Sequence, residues 1–244
     1  MSKERVTKEV FYPESDGKPM ADNTLQFRWI VTIKEGLDLQ LKDDFVAGDL
    51  FWYPIEGNPF TKIAPDVMVA LGRPKGDRRS YKQWEENDIA PQVVFETISY
   101  TNSRPEMEEK LRFYEHFDVQ EYYLYDPEQF VYKVRLRGWT RRDGKLIEVL
   151  PMNGWVSPLL NIRFDFSNQE LKLFHPDGSR FLSFAELEAE RLAQQNRAEQ
   201  AENRAEQAEN QVQEEKNRAK QAQERANQLA EKLRALGVDP ESIS

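Results

Sequence analysis

From about residue 197 the chain repeats every seven residues, RAEQAEN RAEQAEN QVQEEKN RAKQAQE RANQLAE. This period commits the end of the chain to a long helix before any other part is read. Ala198, Ala205, Val212, Ala219, Ala226 and Leu233 fall in one register, with Ala201, Ala208, Glu215, Ala222, Leu229 and Leu236 three residues on. That is the a and d pattern of a coiled coil, but a seam made mostly of alanine buries little area. A continuous helix from about Phe184 to Leu236 spans on the order of 75 Å at 1.5 Å per residue, too long to pack along its length on a domain of this size. Two readings stand: a weakly self-associating stalk, and a single charged helix held by Arg and Glu pairs four residues apart. The chain therefore divides into a folded domain at 1–180 and a tail at 181–244.

The remaining composition bounds what the folded part can be. A chain of 244 residues with 39% hydrophobic content supports one sizeable core and an appended element. The absence of cysteine excludes a disulfide framework, a thiolate zinc site and a cysteine nucleophile. Residues 1–20 are charged throughout, and no run nears the roughly 18 apolar residues of a membrane span, so a cytoplasmic protein with no membrane partner is expected. A net charge of -9 argues against a globally basic nucleic-acid binder, while leaving room for a local basic strip or a bound cation.

Within 1–180 the pattern reads helix, hairpin, strand, helix, then strands: an α/β or α+β core with a mixed sheet. "NTLQFRWIVTIKEGLDLQL" is a helix capped by Asn23, with Gln26, Ile30, Ile33 and Leu37 on one face. "DFVAGDLFWYP" and "APDVMVALG" read as strands joined through a turn at "EGNP". "APQVVFETIS" is a buried strand, and "SRPEMEEKLRFYEHF" is a helix with Ser103 as N-cap, Pro105 in the first turn and Glu106 closing a capping box. "EYYLYDP", "VYKVRLRGW", "KLIEVL", "IRFDF" and "ELKLFHP" follow as strands around turns, with Asp126 a turn former.

Alternation in "VVFETIS" places Glu96 on the same face as Val94 and Ile98, where a lone carboxylate is costly and needs a cation, a metal or a proton. Met107, Lys110, Leu111, Tyr114 and Phe117 form one stripe of the next helix, so Lys110 points at the sheet among apolar neighbours. Asp66 leads a strand face shared with Met68 and Ala70. Two inward carboxylates and one inward lysine form an anionic site that Mg²⁺ or Mn²⁺ could neutralise, a chemistry suited to phosphodiester hydrolysis. Asp49, on the Phe45, Ala47 and Phe51 face, rivals Asp66 as the ligand. The segment "GRPKGDRRSYKQW" sets Arg73, Lys75, Arg78, Arg79 and Lys82 beside Tyr81 and Trp84, able to track a phosphate backbone and stack a base.

Plainer readings stand beside these. Glu96 and Lys110 can be a buried ion pair, Asp66 a strand-entry residue and the basic segment a solvated loop. His116 and His175 are isolated packing or surface residues, and Ser99 lacks the histidine and the elbow a nucleophile requires.

Three blocks, "APDVMVALG", "PQVVFETIS" and "EMEEKLRFYEHFDVQEYYLYDP", resemble in order and spacing the signature of the putative restriction endonuclease family of bacteria, within the PD-(D/E)XK nuclease superfamily. The resemblance covers roughly residues 15–180. It implies a restriction-endonuclease-like core, helices on both sides of a mixed sheet, and Mg²⁺-dependent cleavage of DNA. Carried over, Asp66 is the acid of the "PD" element and Glu96 the strand acid, both metal ligands. Ile98 replaces the superfamily's usual lysine, and Lys110 on the following helix takes that role, as is typical of this family. Gln26 stands where the superfamily often has a first-helix glutamate. A homodimer through the core or the coiled coil is open. The alternatives to an active enzyme are a nuclease fold that binds nucleic acid or protein without cleaving, and a coiled-coil scaffold.

Overall fold

The computed structural model describes residues 10–15, 17, 19–168 and 170–237. The charged opening at 1–9 lies outside them. The first helix, α1 (Thr24–Gln40), begins where the Asn23 side-chain oxygen accepts the Gln26 N–H at 2.8 Å. Strands β1 (Phe45–Gly48), β2 (Trp52–Tyr53), β3 (Val67–Ala70), β4 (Tyr81–Lys82) and β5 (Val93–Thr97) follow, then α2 (Arg104–His116) and β6 (Glu121–Tyr125). Strands β7 (Leu136–Arg142), β8 (Lys145–Glu148), β9 (Arg163–Asp165) and β10 (Lys172–Phe174) complete the domain, and α3 (Phe184–Ala235) forms the tail.

Six strands make a mixed sheet in the order β1-β3-β5-β6-β7-β8, so the fold is the mixed α/β class with flanking helices. Only β5 and β6 run parallel, because only they are joined by a helical crossover, α2. Alternation decides which side chains meet which layer. Val67, Val69, Val93 and Phe95 pack with Trp29, Ile33 and Leu37 of α1 and with Phe164, Leu173 and Phe181 from the end of the domain. Gly36 permits that seating: a Cβ there would lie 2.3 Å from the Phe181 ring. Met68, Ala70, Val94 and Ile98 face the other way, toward Met107 and Tyr114 of α2. Asp66 and Glu96 share the parity of this second set, which carries them toward α2.

Two expected elements differ in detail. The run "DFVAGDLFWYP" is not one strand, because Asp49 takes a left-handed backbone (φ 47°) and donates its N–H to the Asp66 carbonyl at 3.2 Å. The strand ends there, and β2 joins β4 in a separate parallel pair. The strand expected from Val131 starts at Leu136. Asp126 holds the preceding segment as a loop by accepting the N–H groups of Phe130, Val131 and Tyr132, each at 2.9 Å, the turn role expected of it. β9 and β10 pair antiparallel around a turn, as expected, in a two-stranded sheet of their own.

The chain divides into two units after Phe184. Taken by itself, α3 is 52 residues long and buries none of them, and Val212 and Leu229 of the apolar seam are more than half exposed. The ion pairs along it, Arg191 with Glu188 at 2.6 Å and Arg218 with Glu214 at 3.7 Å, are solvent-exposed and of the weak helical kind. No helix among the described residues is long and apolar enough to cross a membrane.

Candidate active site

Glu96 is 3% exposed, and its neighbours on the strand, Val94 and Ile98, offer it nothing polar. The next helix does. Lys110 and Tyr114 lie one turn apart on the buried face of α2, where a four-residue spacing stacks two side chains. The Lys110 ammonium donates to Glu96 Oε2 at 2.8 Å and the Tyr114 hydroxyl donates to Oε1. Both carboxylate oxygens therefore have a donor.

Asp66 stands one residue before β3. Its Oδ2 accepts the N–H of Thr97 at 2.6 Å, the peptide that follows Glu96, so one backbone unit ties the two acids together. Burial and then the negative charge of Glu96 push the Asp66 carboxyl up to about 8, against the pull of Lys110 and the Thr97 N–H. Burial works against the Lys110 ammonium too, but the charges of Glu96 and Asp66 and the bond to Glu96 outweigh it and raise its pKa. One cation thus serves two acids.

A cleft of about 560 Å³ opens onto this group, lined by Asp66 and Lys110 together with Gln26, Asp49, Asn102 and Glu106. Glu96 does not line it; the carboxylate is buried beneath, in the grip of Lys110 and Tyr114. Gln26 is buried, accepts the Asp22 N–H at 2.9 Å and donates to the Thr97 carbonyl at 2.9 Å, so α1 brings an amide to the same residue whose N–H Asp66 holds. Asp49 adds a further repulsive charge to Asp66.

The basic segment is placed differently from a phosphate track. Arg73 and Arg78 converge on Glu86 at 3.0 and 2.6 Å with little exposure, and the Arg78 guanidinium stacks 3.8 Å above the Phe45 ring. Lys75 pairs with Asp38 at 2.5 Å, Lys82 with Glu85 at 3.0 Å and the exposed Arg79 with Glu14 at 3.3 Å. Tyr81 is fully buried, which removes it as a stacking platform, and Trp84 packs on Tyr12. His116 and His175 pack on Phe117 and Phe181, and Ser99 is buried with its hydroxyl donated to Asp22, away from any histidine.

A family model described as Uma2, putative restriction endonuclease, matches residues 15–177. The chain belongs to this family. Uma2 membership covers the whole mixed sheet and leaves α3 outside it. It carries the general reading of the chain as a nuclease. Among solved structures, a putative nuclease belonging to DUF820 from Anabaena variabilis ATCC 29413 is similar at 14% identity, with 58% of this chain and 74% of that chain covered and a TM-score of 0.41. Comparison with curated proteins gives no match.

Sequence reasoning named Tyr114 only as one apolar member of the α2 stripe. The signal that marks it as polar machinery is its spacing of four from Lys110, which aims both side chains at the same strand position.

The donor set limits which metal fits. Among the described residues no three histidine or acidic side chains converge as a closed metal cage. Two carboxylates, crowded enough that Asp66 holds its proton to about 8, suit a hard cation that keeps several waters and takes one or two carboxylates, as Mg²⁺ and Mn²⁺ do.

Proposed function

We propose that this chain is a divalent-cation-dependent endonuclease that hydrolyses phosphodiester bonds of DNA. The observation that carries the reading is the pairing of Asp66 and Lys110 at one open cleft, with Glu96 bonded to Lys110 directly beneath it and joined to Asp66 through the Thr97 N–H. Asp66 and Glu96 would hold Mg²⁺ or Mn²⁺. When bound, the ion activates a water for attack on phosphorus and screens the phosphate charge. The Asp66 bond to Thr97 N–H fixes one carboxylate against the other and so sets their separation before substrate arrives. Lys110, 20% exposed and lining the cleft, reaches from Glu96 toward the phosphate, where its ammonium orients the attacking water or balances the charge of the transition state.

The test is incubation of the purified protein with supercoiled plasmid and a panel of divalent cations. The parent nicks with Mg²⁺ or Mn²⁺, and Asp66→Ala and Glu96→Ala each reduce nicking by at least about 100-fold while remaining folded. Equal cutting by both variants would show that the acids are not the site. Retained cutting by Asp66→Ala with loss in Asp49→Ala would move the ligand to Asp49. One observation favours a second reading, a fold that binds nucleic acid without cutting: α1 presents the amide of Gln26 where an acid would add a third carboxylate. An inert parent that still retards DNA in a gel would decide for it.

A further inference from the structure

Glu96 has two donors, and they are not equivalent. Tyr114 is fully buried, its ring held against Tyr122 at 5.0 Å and edge-on to Phe113 at 6.1 Å. Its side chain has two rotatable bonds, both restrained by that packing, and its hydroxyl is the only polar atom it must place. Lys110 ends a flexible four-carbon stem, keeps a fifth of its side chain exposed and lines the cleft. The charges differ as well. An ammonium at Glu96 neutralises the carboxylate and repels an entering dication, whereas a neutral phenol leaves the carboxylate's charge available and tolerates the dication beside it. Each carboxylate oxygen has a second lone pair, so a bond from Tyr114 does not use up the ligand.

We propose that Tyr114 is the positioning residue of the site: its hydroxyl fixes the Glu96 carboxylate, so that Lys110 can leave it and work on the substrate. The inference rests on the metal-dependent reading above and divides the work of two residues on one helix, a fixed neutral donor one turn below a mobile cation. Tyr122 supplies an internal control. It packs against Tyr114, yet its buried hydroxyl has no hydrogen-bond partner among the described residues.

The experiment is calorimetric titration of the full-length protein with MnCl₂, on the parent and on Tyr114→Phe, Tyr122→Phe and Lys110→Met, with melting of each metal-free protein and plasmid-nicking kinetics alongside. Tyr114→Phe is expected to weaken Mn²⁺ binding by roughly 10–100-fold, the usual cost of losing a group that orients a metal ligand. It should lower kcat, leave KM for DNA unchanged and melt close to the parent. Tyr122→Phe binds Mn²⁺ as the parent does, and Lys110→Met binds it at least as tightly while losing cleavage. Parental Mn²⁺ affinity in Tyr114→Phe overturns the assignment alone, as does equal weakening in Tyr122→Phe, which would trace the effect to ring packing. Loss of binding in Lys110→Met to the extent seen in Tyr114→Phe also overturns it, by giving the lysine the positioning role. A parent that binds no Mn²⁺ overturns the metal reading and this assignment together.

Discussion

Asp66 is an acid that the fold moves far from its ordinary state. Its carboxyl rises from 3.8 to about 8 because burial and the Glu96 charge outweigh Lys110 and one peptide N–H. Between those values the folded protein holds a proton that the unfolded chain has released, so raising the pH through this window favours unfolding. In metal-free buffer the melting temperature should therefore fall from about pH 4 toward pH 8 on account of Asp66, and Asp66→Asn should remove that part of the slope. His175, whose pKa burial lowers, contributes the opposite slope near its ordinary 6.5, so the difference between parent and variant melting curves is the quantity to measure. A difference that is flat across the window would mean that Asp66 is ionised in the fold throughout. Much at this scale was legible beforehand, since strand parity gives Asp66 and Glu96 a common side and helical spacing aims Lys110 at them. The left-handed backbone of Asp49 was not legible, because alternation of side chains carries no signal for one residue in that conformation, which here accompanies the bond to the Asp66 carbonyl.

Among the elements, the stretch from Arg73 to Glu86 shows how charge composition misleads. A dense row of cations in sequence reads as a surface strip, but sequence does not show which distant acids will face it. Glu86, only 9% exposed, gathers Arg73 and Arg78, and Arg78 covers the Phe45 ring of β1, so these two side chains fasten the β4 segment to the sheet. Glu86→Ala strands two guanidiniums with little access to water and should cost about 3 kcal/mol in a urea unfolding titration, with cleavage by the folded fraction preserved. An unchanged midpoint together with tighter DNA binding would restore the phosphate-contacting role. The helix α2 was the opposite case. Its start was written locally in Ser103, Pro105 and Glu106, whose carboxylate accepts the Ser103 N–H at 3.3 Å, and its buried stripe followed from period alone. Elements set by near neighbours could be read from the chain, whereas β2 and β4 depend on each other across some thirty residues and could not.

For the whole molecule, the proposed chemistry and the tail separate cleanly in sequence, since no proposed site residue lies beyond Tyr114 and α3 begins at Phe184. Truncation after Ser183 should leave a folded core that still nicks plasmid within about 2-fold of the parent, because α3 buries none of its residues. Any self-association through the thin alanine seam should disappear with it. Sedimentation of both proteins beside the same nicking assay checks this: equal oligomeric states rule out the stalk, and an unfolded truncation shows that the core needs the helix. Within the core, Asp66, Glu96, Lys110 and Tyr114 all precede β6, but the sheet face opposite them, which α1 covers in part, is completed only when Phe164, Leu173 and Phe181 arrive from the far end of the domain. A chain emerging from the ribosome therefore carries every proposed site residue for the time it takes to add some sixty further residues, at roughly 5–20 residues per second, with that layer incomplete. The seating of Phe181 against Gly36 closes that interval, so a cell making this protein would meet a finished nuclease only after nearly the whole domain had been synthesised.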